Sequence, residues 1–505
     1  MKYLALVLSL SLLLPGCSQD RQTEIVEFKA QAGDSAKYWM KTKSNIKLEG
    51  LDVEQASLAL LHYQIDKVDD KILKFSVVPE LMQLSGNRNN FHSARPNDRQ
   101  QELRQLMSAG FDITLSSKTG ELISFSGKNA ELWQQVVEKS GDAFVDSMKN
   151  SLNSPGFVRQ IPAKVGEILP LTEVGIHATE LEVVEVTDAQ LTLQINSANE
   201  QTKLYGKVIL NRDNGWIEKL ALANVMPMEA MGMQGTARHN ILMQRLNSEE
   251  LTSFITDLEP LVASDYWFDM EQADQAITEY VEPTAEELFK FTQGELLDNG
   301  NTFFTKLLLT DGQITPAGEI WFKDIRASSS QQPGLEVQLM PTLPSFIFPS
   351  EDGAVLEQEF LPLGWLAKGE LDKIDKITAT ALYQPAQLKT YSFDWSPDKT
   401  VTHQMGKLAL TITPLAGTTD KFAMDIYPGG NEFLLPIFGG LKGKVQYVAP
   451  NVGPEWLTYD DKFTTSLNQS RILLNVTNDA DTVTFYINEL ASEPAFEQKL
   501  EWNLK

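Results

Sequence analysis

The chain has 505 residues, 43 Lys and Arg against 68 Asp and Glu for a formal net charge of −25, and one cysteine. So acidic a chain argues against a nucleic-acid partner, because neutralising phosphates takes clustered Lys and Arg. A single cysteine excludes intrachain disulfides, and the length suits two to four domains whose cores must suffice without them.

The chain opens MKYLALVLSLSLLLPGCSQD, with Lys2 as a short positive start and residues 3–14 apolar apart from Ser9 and Ser11. A bilayer-spanning helix needs about 20 apolar residues, so this run has the proportions of a secretory signal core instead. Leu14-Pro15-Gly16-Cys17 follows, a small residue directly before the cysteine. The stretch resembles the lipobox of bacterial lipoproteins, although Pro15 is a less usual occupant of its position. That resemblance implies removal of residues 1–16, acyl chains on Cys17 as a covalent lipid, and a lipidated tether over 17–22. Ser18, in place of Asp, implies the outer membrane, with the body facing the periplasm and the bilayer as a partner. Several acyl chains, at about 0.8 kcal/mol per buried CH₂, make such an anchor effectively permanent.

Residues 23–84 alternate in the manner of strands, in "EIVEFKAQAG", "YWMKTKSNIKLEG", "SLALLHYQI" and "ILKFSVV". A polar loop leads to a short helix near 97–108, stopped by Gly110, and "FDITLSSKTGELISFSG" reads as a hairpin turning at Lys118-Thr119-Gly120. Over 129–152, Leu132, Trp133, Val136, Val137, Phe144, Val145, Met148 and Leu152 recur at three- and four-residue spacings. They predict an amphipathic helix, capped by Asn129 and ended by Ser154-Pro155-Gly156. Strands resume in "LEVVEV", "QLTLQI", "TKLYGKVIL", "GWIEKLALANV" and "MQGTARHNILMQRL", with Asp213-Asn214-Gly215 as a hairpin signal. Residues 23–248 thus predict a curved antiparallel meander of about ten strands, its concave face plugged by the amphipathic helix. Strands, helices, then strands, behind a lipobox, resemble the half-barrel proteins that carry lipids or lipoproteins between membranes. The same alternation, ending in a Met-rich strand, also resembles a family of uncharacterised bacterial lipoproteins.

Residues 249–318 read as an acidic, partly helical connector. Within it, 257–298 hold twelve acids against Lys290, and a helix starts near Thr284 with Glu286 and Glu287 in its first turn. Beyond 318 the pattern is strand-like, predicting β-sandwich modules over 319–400 and 401–505, or one sandwich over 319–505. A faint repeat matches 376–395 with 471–490, each read as strand, polar turn, strand. The fold class expected is mainly β.

No catalytic constellation emerges. The histidines at 62, 92, 177, 239 and 403 never fall at i, i+3 or i+4, so no histidine metal site is expected. Ser44-Asn45-Ile46-Lys47 and Lys118-Thr119-Gly120 match two short motifs of penicillin-binding enzymes, but on a strand and in a turn, not in the contexts those motifs need. "TNDADT" (477–482) and "LLDNGN" (296–301) lack the spacing of a calcium loop. "VMPMEAMGMQGTARH" places Met226, Met228, Met231 and Met233 before His239. Thioethers select Cu(I), yet methionine is also the adaptable filler of apolar cavities and binding surfaces, and the alternation favours packing. The expected role is a non-enzymatic binding or structural module of the cell envelope, contacting other envelope proteins. The alternative is a carrier of a hydrophobic ligand, touched by Trp133, Val137, Phe144, Met148, Met226, Met228, Met231 and Met233.

Overall fold

The computed structural model describes residues 24–504 except 87–89, 96–99, 141–159, 172–178, 198–202, 231–232, 247–265, 271–281, 290, 294–302, 309–316, 341–344, 348–354, 428, 430 and 467–468. Cys17, Phe144, Met148 and Met231 lie outside the described residues, as do the predicted end of the helix at 154–156 and "LLDNGN".

The fold is mainly β, with several antiparallel sheets and few helices. The largest sheet has twelve strands. In chain order they are β1 (Ser35–Leu48), β2 (Leu51–Val68), β3 (Ile72–Gly86), β4 (Phe91–His92), β5 (Phe111–Ser116), β6 (Leu122–Gly127), β7 (Ile168–Leu171), β8 (Thr179–Val186), β9 (Gln190–Ser197), β10 (Lys203–Asn211), β11 (Ile217–Ala230) and β12 (Met233–Arg245). Their spatial order is β6-β5-β3-β2-β1-β12-β11-β10-β9-β8-β7, with β4 added on β3. The chain therefore starts in the middle, runs out to one edge, crosses to the far edge, and returns to close against its own first strand. The ladder between β1 and β12 runs from Tyr38↔Arg245 to Leu48↔Gly235. Gly235 is required there, because a Cβ would lie 1.9 Å from the Lys47 carbonyl oxygen.

The sheet curls into a half-barrel, and its concave side holds one continuous core. Tyr38, Met40, Leu61, Tyr63, Phe75, Phe111, Leu181, Leu193, Val208, Leu222 and Met243 all belong to it. Two helices close one end of this face. Helix α1 (Gln101–Ala109) contributes Leu106 and Met107, ending at Gly110 with φ 84°. Helix α2 (Ala130–Ser140) is capped by Asn129, whose Oδ1 accepts from Leu132 N at 3.2 Å. Its Trp133 meets Phe111 and Phe125 edge-on, so α2 covers β5 and β6 at one flank of the sheet.

The central strands are covered on the convex side too. Trp39, Leu60, Leu81, Ala221 and Leu242 pack with Met340, Leu361 and Leu363 from the later chain. This explains why "YWM" (38–40) breaks strict alternation: both faces of β1 are dry at this level, and all three side chains are buried. Gly364 N donates to Glu80 O at 2.8 Å and Trp365 Nε1 to Pro79 O at 2.8 Å, tying the same segment to β3.

The later chain builds a seven-stranded and a six-stranded sheet. Residues Lys376–Asp394 form one 19-residue strand, contrary to the predicted strand, turn and strand. The polar "QPAQ" is not a turn. Pro385 brings no N–H to a ladder, and the strand changes partners there: Gly318–Ser328 and Phe496–Asn503 pair with it up to Tyr383–Pro385, Thr482–Leu490 from Ala386 onward. Its supposed counterpart at 471–490 splits between sheets, with Ser470–Val476 in the six-stranded and Thr482–Leu490 in the seven-stranded one. Their buried faces meet through Met424, Ile472 and Leu474 on one side and Phe438, Phe485 and Ile487 on the other. Thr284 begins the expected short helix with a capping box to Glu287.

Doubly covered central strands predict an asymmetric mutational response. Trp39→Ala should cost about 3–5 kcal/mol in urea unfolding, whereas Thr236→Ala, exposed on the same convex side, should stay within about 0.5 kcal/mol. A Trp39→Ala loss as small as that of Thr236→Ala would show that the convex packing contributes nothing.

Candidate functional site

The candidate site is the concave face of β1, β2, β11 and β12 toward their hairpin ends. Register defines its rows. Ser44 stands beside Gln55 on β2 and His239 on β12, and His239 stands beside Asn224 on β11. One row nearer the core, Thr42 faces Ser57, their hydroxyls 2.6 Å apart. Ser44 Oγ lies 2.8 Å from His239 Nδ1, and the Asn224 side-chain oxygen is buried with no hydrogen-bond partner among the described residues. Burial holds the His239 imidazole below its ordinary pKa, which favours the neutral ring.

Beyond this polar row the face turns apolar again. Ile46 pairs with Val53, Leu48 with Leu51, Met226 with Ala237, and Met228 with Gly235. Parity places Met226 and Met228 on the side of Leu220 and Leu222, and pairing with Ala230 places Met233 there as well. Whereas the base of the face is buried, Ile46, Leu48, Val53, Met226, Met228 and Met233 are only half-buried, and Leu51 is exposed. From Thr42 to the hairpin ends, no charged residue of these four strands lies on this side. Lys43, Lys47, Asp52, Glu54, Glu229 and Arg238 all fall on the convex side by the same alternation.

A convex buttress holds these strands. Helix α3 (Tyr459–Ser466) packs behind β10, β11 and β12, and Leu457 just before it meets Tyr205 and Ala223. Asp461 is fully buried and accepts from Thr458 N and Thr458 Oγ1, both at 2.8 Å, and from the Arg238 guanidinium. Lys43 Nζ reaches Asp460 at 3.2 Å.

Of the residues singled out in the sequence, Met226, Met228 and Met233 share one surface, and His239 joins them through its strand. Trp133 and the half-buried Val137 belong to α2, over strands four and five places away in sheet order from β12. Ser44 and Lys47 stand on opposite faces, and Lys118-Thr119-Gly120 forms the β5–β6 turn, so the two short motifs do not meet. In "TNDADT", Asn478 accepts from Lys442 N at 2.7 Å and donates to Gly440 O at 2.9 Å, bonds that tie a turn. Among the described residues no cluster of His, Cys, Asp and Glu could hold a metal ion. Sequence reasoning missed the row Gln55-Ser44-His239-Asn224. Its signal was available in the shared parity of polar residues within apolar faces, but pairing Ser44 with His239 needs the register.

Other perturbed groups lie elsewhere. Glu319, half-buried, is pushed up to about 7 by desolvation. His92 is buried beside β3 and pushed down to about 4, first by desolvation and then by Arg95 and Arg104. Its Nδ1 accepts from Ala94 N at 3.0 Å, so the ring proton sits on Nε2. Arg104 stacks over Trp365, 5.3 Å from the ring centre, and donates to the Ser93 and Leu366 carbonyls.

No family model and no curated relative matches the chain. Among solved structures, lipovitellin, described for its lipid–protein interactions, aligns at 8% identity and TM-score 0.29, over 43% of this chain and 25% of its own. This chain thus spans about a quarter of it. The Pseudomonas aeruginosa MucA/MucB complex aligns at 8% identity and TM-score 0.16, over 90% and 89%. The Vibrio cholerae outer membrane protein OmpT aligns at 7% and 0.15, over 94% and 100%. At these scores the likenesses carry no functional argument.

The His92 environment predicts an acid-sensitive junction. Because its folded pKa lies below the unfolded value, the stability from the neutral ring is complete above about pH 6.5 and is lost as pH falls toward 4. His92→Asn keeps an acceptor for Ala94 N and removes the titration. Urea midpoints should therefore fall less steeply between pH 6.5 and 4 in the variant, and identical slopes would reject the assignment.

Proposed function

We propose that this protein is a membrane-anchored, non-enzymatic envelope lipoprotein whose twelve-stranded sheet holds a hydrophobic ligand, such as an acyl chain, on its concave face. The observation that carries the reading is the half-buried apolar surface of Ile46, Leu48, Val53, Met226, Met228 and Met233, free of charged side chains on four adjacent strands. Four strands at about 4.8 Å and two residue pairs at about 6.8 Å give a patch of order 14 Å each way. Apolar burial gains about 25 cal/mol per Å², so covering such a surface is favourable for any chain that fits it. Methionine suits the role, because its unbranched thioether adapts to chains of varying shape.

The anchor belongs to the same proposal. Cys17 carries the acyl chains, the outer membrane is the location, and the tether to residue 22 leaves the sheet beside the bilayer. A protein-contact role has one feature of its own: Phe268 and Tyr427, both exposed, stand on the six-stranded sheet.

Two measurements test the proposal. Cys17→Ser should convert a detergent-partitioning protein into a soluble one, and a variant still in the detergent phase would remove the anchor. Native mass spectrometry of that soluble protein, purified from envelopes, should show one bound lipid mass, lost in Met226→Gln/Met228→Gln/Met233→Gln. Bare protein after incubation with acyl lipids, or stoichiometric Cu(I) lost on Met→Leu exchange, would rule out the ligand reading.

A further inference from the structure

The polar row and the apolar rim are two parts of one surface, and together they constrain the ligand's chemistry. We infer that the ligand is an uncharged amphiphile, with a hydroxyl- or amide-bearing head on Gln55, Ser44, His239 and Asn224 and an acyl tail along the rim. This inference rests on the hydrophobic-ligand reading above and adds the class of head group.

Three observations carry it. First, the row supplies neutral donors and acceptors only: a hydroxyl paired with an imidazole at 2.8 Å, two carboxamides, and a second hydroxyl pair at 2.6 Å one row deeper. Second, the Asn224 oxygen is buried and has no hydrogen-bond partner among the described residues, an acceptor that a ligand O–H or N–H would complete. A buried acceptor left unpaired is costly, so satisfying it favours a donor-bearing head over a bare hydrocarbon. Third, among the described residues of β1, β2, β11 and β12 this face offers no charge to pair with an anionic or cationic head. On this side of these strands the nearest ion pair among the described residues, Arg245 with Glu218 at 3.0 Å, is self-compensated and lies in the Tyr38 row. That row is six residues from Ser44 along β1, about 20 Å away. Ser44, His239 and Asn224 are half-buried and Gln55 is exposed, so a carboxylate or phosphate seated there gives up part of its hydration with no counter-charge in return, which is unfavourable.

The surface therefore selects by exclusion as well as by attraction. A mono- or diacylglycerol, a fatty alcohol or a fatty amide meets the row with its own hydroxyl or N–H. A fatty-acid anion or a phospholipid brings a charge that the row cannot neutralise, while Lys43 and Lys47 stand on the opposite face of β1.

The test uses full-length Cys17→Ser protein, stripped of bound lipid, and three probes of equal chain length at pH 8: a 1-monoacylglycerol, a fatty-acid anion and an alkane. Competition against a fluorescent acyl probe ranks them. The expected result is monoacylglycerol at least tenfold tighter than the fatty-acid anion. Asn224→Leu with His239→Leu should weaken monoacylglycerol about three- to tenfold, the worth of one lost hydrogen bond, and leave the alkane unchanged or tighter. Equal binding of anion and neutral lipid in the unmutated protein would overturn the head-group assignment, whatever the variant does. So would a folded double variant, checked by circular dichroism, that binds monoacylglycerol as before. If none of the three probes binds, the hydrophobic-ligand reading itself fails. If the alkane binds but the monoacylglycerol gains nothing over it, only the head-group inference fails.

Discussion

The pairing of Ser35–Leu48 with Met233–Arg245 is the constraint on which the rest of the first sheet depends. It joins the first strand of one meander to the last strand of the other across almost 190 residues of chain. Side chains alternate with period two, so a slip of one residue would exchange every inward and outward group on β1 relative to β12. Ser44 would lose His239, Met226 and Ile46 would leave one surface, and Trp39 would leave the packing it shares with Leu242 and Met340. Gly235 fixes the close approach at one end, where Lys47 O leaves no room for a Cβ. At the other end, Tyr38 faces Arg245 beside Glu218. Such a long-range closure is costly in loop entropy before its contacts reward it.

What the closed sheet gains is a division of labour between its two faces. The base of the concave side is a dry aromatic and aliphatic core, and the convex side carries either the later chain or water. The convex supports are specific. Met340, Leu361 and Leu363 cover the middle of β1 to β3, while Asp461, held by Thr458 and Arg238, braces β10 to β12 through α3. A fully buried carboxylate is tolerated there because its charge is paired and hydrogen-bonded. With the strands supported from behind, the apolar rim and the polar row are presented on a rigid surface and not on a loop.

Much of this was legible in the sequence. Alternation gave the strands of the first sheet, Asp213-Asn214-Gly215 and Lys118-Thr119-Gly120 gave two hairpins, and Asn129 gave the start of α2. These signals are local, so neighbours in sequence decide them. Three features are not local. The strand at 376–394 runs straight through Pro385 because its ladder partners change there, which no single stretch reveals. "YWM" resists alternation because a segment some 300 residues later covers β1 from behind. The row Gln55-Ser44-His239-Asn224 is assembled from four strands, and each polar residue alone reads as an ordinary interruption of an apolar face. The thioethers of Met226, Met228 and Met233 stand out in the sequence, but what unites them is the face they share with Ile46 and Leu48.

The central claim is that this concave face, and not an exposed edge or the later sheets, meets the ligand. Photolabelling with a diazirine-bearing acyl lipid, followed by peptide mapping, tests it most directly. The account predicts adducts within 42–57 and 222–239, on inward-facing positions such as Ile46, Val53, Met226 and Met228, competed away by unlabelled lipid. Adducts confined to the exposed Leu122 and Ile123 of β6, or Ile168 of β7, would contradict it.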